Sequence, residues 1–161
     1  MLTGAYNEPD KLSEFESRWK ANEHPAFARR IQILSHALAA HHAGLWGASV
    51  PTLLAQAEGI AVDLAEHTGW LKSEDYKKLL SLPPEDYPIV ADIVRGFVEE
   101  HFLVNFHHGK RVPEFSRHAI LHGADTGFAT KHHSQRAILL IDYLCSLDPA
   151  AFKSTTAPHP E

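Results

Sequence analysis

Apolar residues recur at spacings of three and four along most of the chain, and no stretch alternates with period two long enough to specify a strand. The pattern therefore predicts helix after helix. Asp10–Ala21 places Leu12, Phe15 and Trp19 on one face. Pro25 opens a segment whose stripe of Ile31, Leu34 and Leu38 runs to about His42, before Gly44 breaks it. Ser49 has the character of an N-cap, with Pro51 in the first turn of a helix reaching about His67. Ser73 caps a short helix through Leu80, and Pro83-Pro84 ends it. Glu85 to about Phe106 follows, with Ile89, Val90, Ile93, Val94, Phe97 and Val98 expected inward. Pro113–His122 is a short helix closed by Gly123, and Thr130–Leu147 is the last, apolar at Ile138, Leu139, Ile141, Leu144 and Leu147.

Short connections and one-sided apolar stripes predict an all-α fold, an antiparallel bundle of about five to seven helices. The chain divides into a polar N-terminus (1–9), a helical domain (10–152) and a Pro-containing tail (153–161), both ends expected to be loose. At 161 residues and 44% hydrophobic content one packed domain is expected, with no bilayer-spanning run and no leader-like N-terminus. A cytoplasmic location is the expectation, with no membrane partner. One cysteine, Cys145, excludes an internal disulfide and a Cys-rich zinc site, and its apolar surroundings predict a small core residue rather than a nucleophile. Trp19, Trp46 and Trp70 are expected to be core or dimer anchors.

Charge changes this picture locally. The formal net charge is −5, against a general coating protein for nucleic acid. Yet His107–Arg136 carries five basic and two acidic residues, leaving −8 for the remainder, and holds six of the thirteen histidines. Such a patch on an acidic body suits one anionic ligand site.

Within it stands Arg117-His118-Ala119-Ile120-Leu121-His122-Gly123. This arginine, followed by a polar residue and, five positions on, a histidine, resembles the motif of the HEPN superfamily of helical bundles, many of them metal-independent ribonucleases in toxin–antitoxin and antiviral systems. The strings Ser49–Ile60 and Thr130–Ser134 add to the likeness to a group of bacterial HEPN-like proteins. The resemblance implies a homodimer with one cleft between two copies of the motif, an RNA substrate, no metal or other cofactor, and an antitoxin or other partner protein for toxin-like members. It implies that Arg117 and His122 form the catalytic pair and that His118 holds the polar position after the arginine, commonly asparagine.

The chemistry can be argued from the residues too. Histidine titrates near neutrality and suits proton transfer at a 2′-hydroxyl, whereas the arginine fork fits the oxygens of a phosphorane. Lys110, Arg111, Lys131, His132 and His133 are placed to steer RNA. Five residues of ideal helix turn about 500°, leaving Arg117 and His122 about 140° apart, so the pair meets only if the long arginine curls round its helix or a twofold axis brings Arg117 of one copy to His122 of another. His118 and His122 do share a face. With His107, His108, His132 or His133 they form the alternative of a metal-binding bundle. A non-catalytic module binding a nucleotide, RNA or a partner protein is the other alternative. Glu58, at the edge of the stripe of Leu54, Ala57, Ala61 and Leu64, is a carboxylate in need of a partner and a candidate to orient Arg117 or a histidine. His41 and His42 continue an apolar stripe and are expected to be hydrogen-bonded in the core or an interface.

Overall fold

A computed structural model describes residues 9–68, 71–80 and 88–150. The predicted loose ends, Trp70 and Pro83-Pro84 lie wholly or almost wholly outside these residues. Among the described residues the fold is all-α, without strands: α1 (Pro9–Ala21), α2 (Pro25–Ala28), α3 (Ile31–His42), α4 (Trp46–Leu64), α5 (Ser73–Leu80), α6 (Pro88–Phe97), a π-helical turn continuing it (Val98–Phe102), α7 (Arg117–Leu121) and α8 (Lys131–Cys145).

The longest helix, α4, is the centre of the bundle and packs chiefly on α8 and α3. Its buried stripe is wide: Val50, Leu53, Leu54, Ala57, Ile60, Ala61 and Leu64. Facing it are Ala137, Ile138, Leu140, Ile141 and Leu144 of α8. The alanines let the two axes approach while the larger side chains interdigitate. Trp19, fully buried, anchors α1, and its indole N–H donates to Asp142 of α8 at 3.2 Å. Arg29 and Arg30 both reach Asp63, tying the start of α3 to the end of α4.

Several boundaries differ from expectation. α4 begins at Trp46, before Ser49, and ends at Leu64. Ser49 is no cap: it is fully buried and its hydroxyl is 2.8 Å from that of Ser134 in α8. Pro51 consequently lies inside the helix, where its missing N–H leaves one rung of the ladder unmade. Ile93 is 56% exposed rather than inward. The α6 pattern is apolar on more than one side, and a peripheral helix buries a single stripe. Helix also stops at Phe102 instead of Phe106: Ser116 Oγ donates to the Val104 carbonyl at 2.8 Å, holding the departing chain away from the helical path. Asn105–Lys110 is thus a loop, turning where the Lys110 N–H meets the His107 carbonyl and Gly109 sits at φ +82°. Cys145 is half-buried, and burial pushes its thiol pKa up, in keeping with a packing role.

Candidate functional site

The helix carrying the motif is short and held at both ends. Ser116 is its N-cap, accepting from the Ala119 N–H at 3.3 Å. At the other end Gly123 takes φ +73°, its N–H bonds the Ile120 carbonyl, and Ala124 N–H bonds that of Ala119 at 2.8 Å. This paired arrangement is a Schellman closure. Immediately before the cap, Phe115 is held at φ +57°, a left-handed conformation costly for a bulky side chain. It persists because the ring is fully buried against Phe97 and His133, at centroid distances of 5.3 and 4.8 Å. The entry to α7 is therefore determined by core packing.

That entry turns Arg117 inward. The residue is 5% exposed. Its Nη1 lies 2.7 Å from Glu58 Oε1 and 3.4 Å from the Tyr76 hydroxyl, its guanidinium stands 5.1 Å from the centre of the Phe102 ring, and its Nη2 donates to His118 Nε2 at 2.7 Å. α4, α5, the π turn and α7 thus converge on one cation. Burial raises the Tyr76 hydroxyl to about 12, so it stays a neutral phenol. Glu58, the candidate to orient Arg117 or a histidine, is the carboxylate paired with Arg117. The arginine expected to present its fork to phosphate is instead enclosed by its own chain.

The consequence passes to His118. An N–H donated to Nε2 requires a lone pair there, so the ring proton resides on Nδ1 and the imidazole is neutral. Burial, then the Arg117 charge, lowers the His118 pKa. The His118 and His122 rings lie nearly parallel, 6.3 Å between centroids and 6° between planes. Both line an open pocket of about 410 Å³ together with Asn105, Phe106, His107 and His108, within the ~300–1,000 Å³ range of small-molecule sites. Phe106 is 4.9 Å from His108 edge-on and 6.2 Å from His122.

Of the expected RNA-steering residues, Lys110 and Arg111 are exposed directly after the pocket loop. Lys131 is exposed at the start of α8, near enough to His41 for its charge to help depress that imidazole. His132 is exposed, its pKa lowered by partial burial and by Arg136. His133 is not open to a ligand: it is 8% exposed, with Nδ1 2.9 Å from the Phe128 carbonyl and Nε2 3.6 Å from Glu114. Among the described residues no three His, Cys, Asp or Glu side chains gather closely enough to hold a metal ion, and His118 Nε2 is already engaged. Tyr76, Phe102, Asn105 and Phe106 were absent from the sequence-based site. The last two fall within the helix expected to reach Phe106, and they become pocket residues because helix ends at Phe102.

His41 is the second buried imidazole. Its Nδ1 is 2.7 Å from Ser134 Oγ, which continues to Ser49, joining α3, α8 and α4. Burial lowers its pKa below 6.5, helped by Lys131 and His42. Both His41 and His118 thus bind protons less readily folded than unfolded. Their contribution to stability is complete above pH 6.5 and is lost as pH falls through their depressed folded values. Urea unfolding followed from pH 7.5 to 5 should show a falling midpoint, and less so in His41→Gln. A flat profile over that window would contradict neutral burial of both rings.

Comparison with protein-family models, with curated proteins and with solved structures finds no match to this chain.

Proposed function

We propose that the chain is a metal-independent endoribonuclease of HEPN type that works as a homodimer. The observation carrying this reading is the Arg117–His118 hydrogen bond, which holds a neutral imidazole beside the exposed ring of His122 in an open pocket. In this reading His118 donates through Nδ1–H to a phosphate oxygen of the RNA. His122 transfers the proton. One imidazole takes the 2′-hydroxyl proton, O2′ attacks phosphorus, and the departing 5′-oxygen receives a proton from a second imidazole. Across a twofold axis that second group is the His122 of another copy, and the contact surface includes Leu121, 41% exposed at the end of α7. Arg117 acts through His118 as a positioning residue and adds positive potential behind the pocket. Lys110 and Arg111 steer the substrate.

The test is cleavage of a mixed RNA panel in excess EDTA by untagged protein of measured oligomeric state. Wild type should leave 2′,3′-cyclic phosphate and 5′-hydroxyl ends, and His122→Ala should lose at least about 100-fold in rate. Identical cleavage by His122→Ala, or ends of another chemistry, overturns the reading.

The enclosure of Arg117 favours one second reading, a module that binds RNA or a nucleotide without cutting it. There, a folded wild type would bind without turnover.

A further inference from the structure

The pocket beside His118 and His122 contains more than proton-transfer groups. Phe106 lies at its wall, half-buried, and the only ring contacts described for it are the imidazoles of His108 and His122. A phenyl ring in that setting has a face available to a planar guest. Next to it in the chain, Asn105 is exposed on the same pocket. Its amide offers a donor beside an acceptor, and no hydrogen bond of that amide within the fold is described. The lining carries no carboxylate, and Lys110 and Arg111 stand exposed just after His108 in the chain. The loop is kept in place by the Gly109 turn and by the Ser116–Val104 bond.

We infer that Phe106 stacks a nucleobase and Asn105 reads its edge, so that this pocket selects the base next to the phosphate held by the histidines. The inference rests on the nucleic-acid reading of the site but not on cleavage. Adenine is the best match. It presents a donor next to an acceptor on two edges, N6/N7 and N6/N1, where uracil has that pattern only around N3–H, so an asparagine amide can pair with adenine in either orientation, and its bicyclic face gives the larger stack. Guanine presents two acceptors on its N7/O6 edge and meets the amide there with one mismatch.

Equilibrium binding of adenosine 3′,5′-bisphosphate to the untagged full chain tests this, because the probe carries phosphate on either side of the base. The uridine counterpart and inorganic pyrophosphate are the comparisons. The adenosine compound should bind tightest and pyrophosphate weakest. Phe106→Leu should weaken the adenosine compound about 10-fold and leave pyrophosphate unchanged, whereas Phe106→Tyr should restore it. Asn105→Asp, which keeps the acceptor but cannot donate, should narrow the preference for adenosine over uridine to the part that stacking supplies. Because Phe106 and Asn105 are not core residues, the variants should unfold at the wild-type midpoint. Equal binding of all three probes, or an adenosine affinity indifferent to Phe106→Leu, overturns the inference. RNA cleavage without base preference would overturn it and leave the ribonuclease standing. Base-dependent binding without cleavage would do the reverse.

Discussion

Arg117→Ala should destabilise the protein by about 3 kcal/mol, the lower part of the range for removing one partner of a buried ion pair. The lower part applies because Glu58 keeps 23% of its side-chain surface in water, whereas Arg117 keeps 6%. At a urea dependence of about 2 kcal/mol per molar the midpoint should fall by about 1.5 M. The cost arises less from the lost attraction than from what is left behind: a Glu58 carboxylate at the edge of the apolar α4 stripe, a Tyr76 hydroxyl from α5, and a Phe102 ring with a void over its face. Arg117→Lys should recover little, since an ammonium cannot address Glu58, Tyr76 and His118 in one plane. Arg117→Met combined with Glu58→Gln should recover more than Arg117→Met alone, because no unpaired charge then remains. The same substitution has a local readout. Without the donated N–H and the adjacent cation, the His118 pKa should move up toward 6.5, which NMR titration of its ring protons would follow. An unchanged midpoint in Arg117→Ala would show that the guanidinium is solvated. One consequence concerns the functional test. Loss of RNA cleavage in Arg117→Ala would not by itself make this a catalytic residue, so the comparison belongs below the melting range of the variant, with His122→Ala beside it.

The reason a sequence misleads at Arg117 is physical. An arginine in a basic, histidine-rich segment reads as a surface charge, and its burial depends on a carboxylate in α4, a phenol in α5 and a ring in the π turn, three elements whose convergence no local pattern encodes. Glu58 was recognisable as the counterpart from its place at the edge of an apolar stripe. The helices α1, α5 and α8 were readable because each carries one stripe and clear ends, such as Thr130 accepting from the His133 N–H at 3.1 Å, whereas the segment expected to run unbroken from Pro25 to His42 is divided into α2 and α3 at Arg29-Arg30, the two side chains drawn to Asp63. α4 was misplaced at its start because Ser49 is a good cap by composition while its hydroxyl is engaged by Ser134, a residue brought near by tertiary packing alone. The π turn has the same origin. Its Leu103 N–H meets the Val98 carbonyl at 2.9 Å, a widened turn that places Phe102 over Arg117, and nothing in VEEHF distinguishes it from ordinary helix. His133 followed the neighbouring His132 in reading as exposed, although one step of about 100° around α8 separates solvent from core.

Trp19→Ala should be the most damaging single change in the bundle, costing about 4 kcal/mol. The indole is fully enclosed and stacks on Phe15 at 6.4 Å, so truncation leaves a cavity that α1 fills only by collapsing onto α3 and α8. It also strips a donor from Asp142. Burial raises the pKa of that carboxyl, and Arg18 and the indole N–H work against the rise. A group with a raised folded pKa adds stability at low pH and loses it as pH rises through that value, so ionised Asp142 is tolerated near neutrality because its oxygens are covered by donors. Two variants separate packing from hydrogen bonding. Trp19→Phe keeps most of the volume and loses only the N–H, while Arg18 still holds both carboxylate oxygens at 2.7 and 2.8 Å, so about 1 kcal/mol should be lost. Trp19→Phe with Asp142→Asn should then cost little beyond Trp19→Phe itself if the carboxylate is the group that needs the indole. None of these substitutions touches the pocket formed by α7 and the Asn105–His108 loop, so nucleotide affinity measured well below the midpoint should stay at the wild-type value. A Trp19→Phe protein as unstable as Trp19→Ala would locate the effect in the hydrogen bond and remove packing as the main tie between α1 and the bundle.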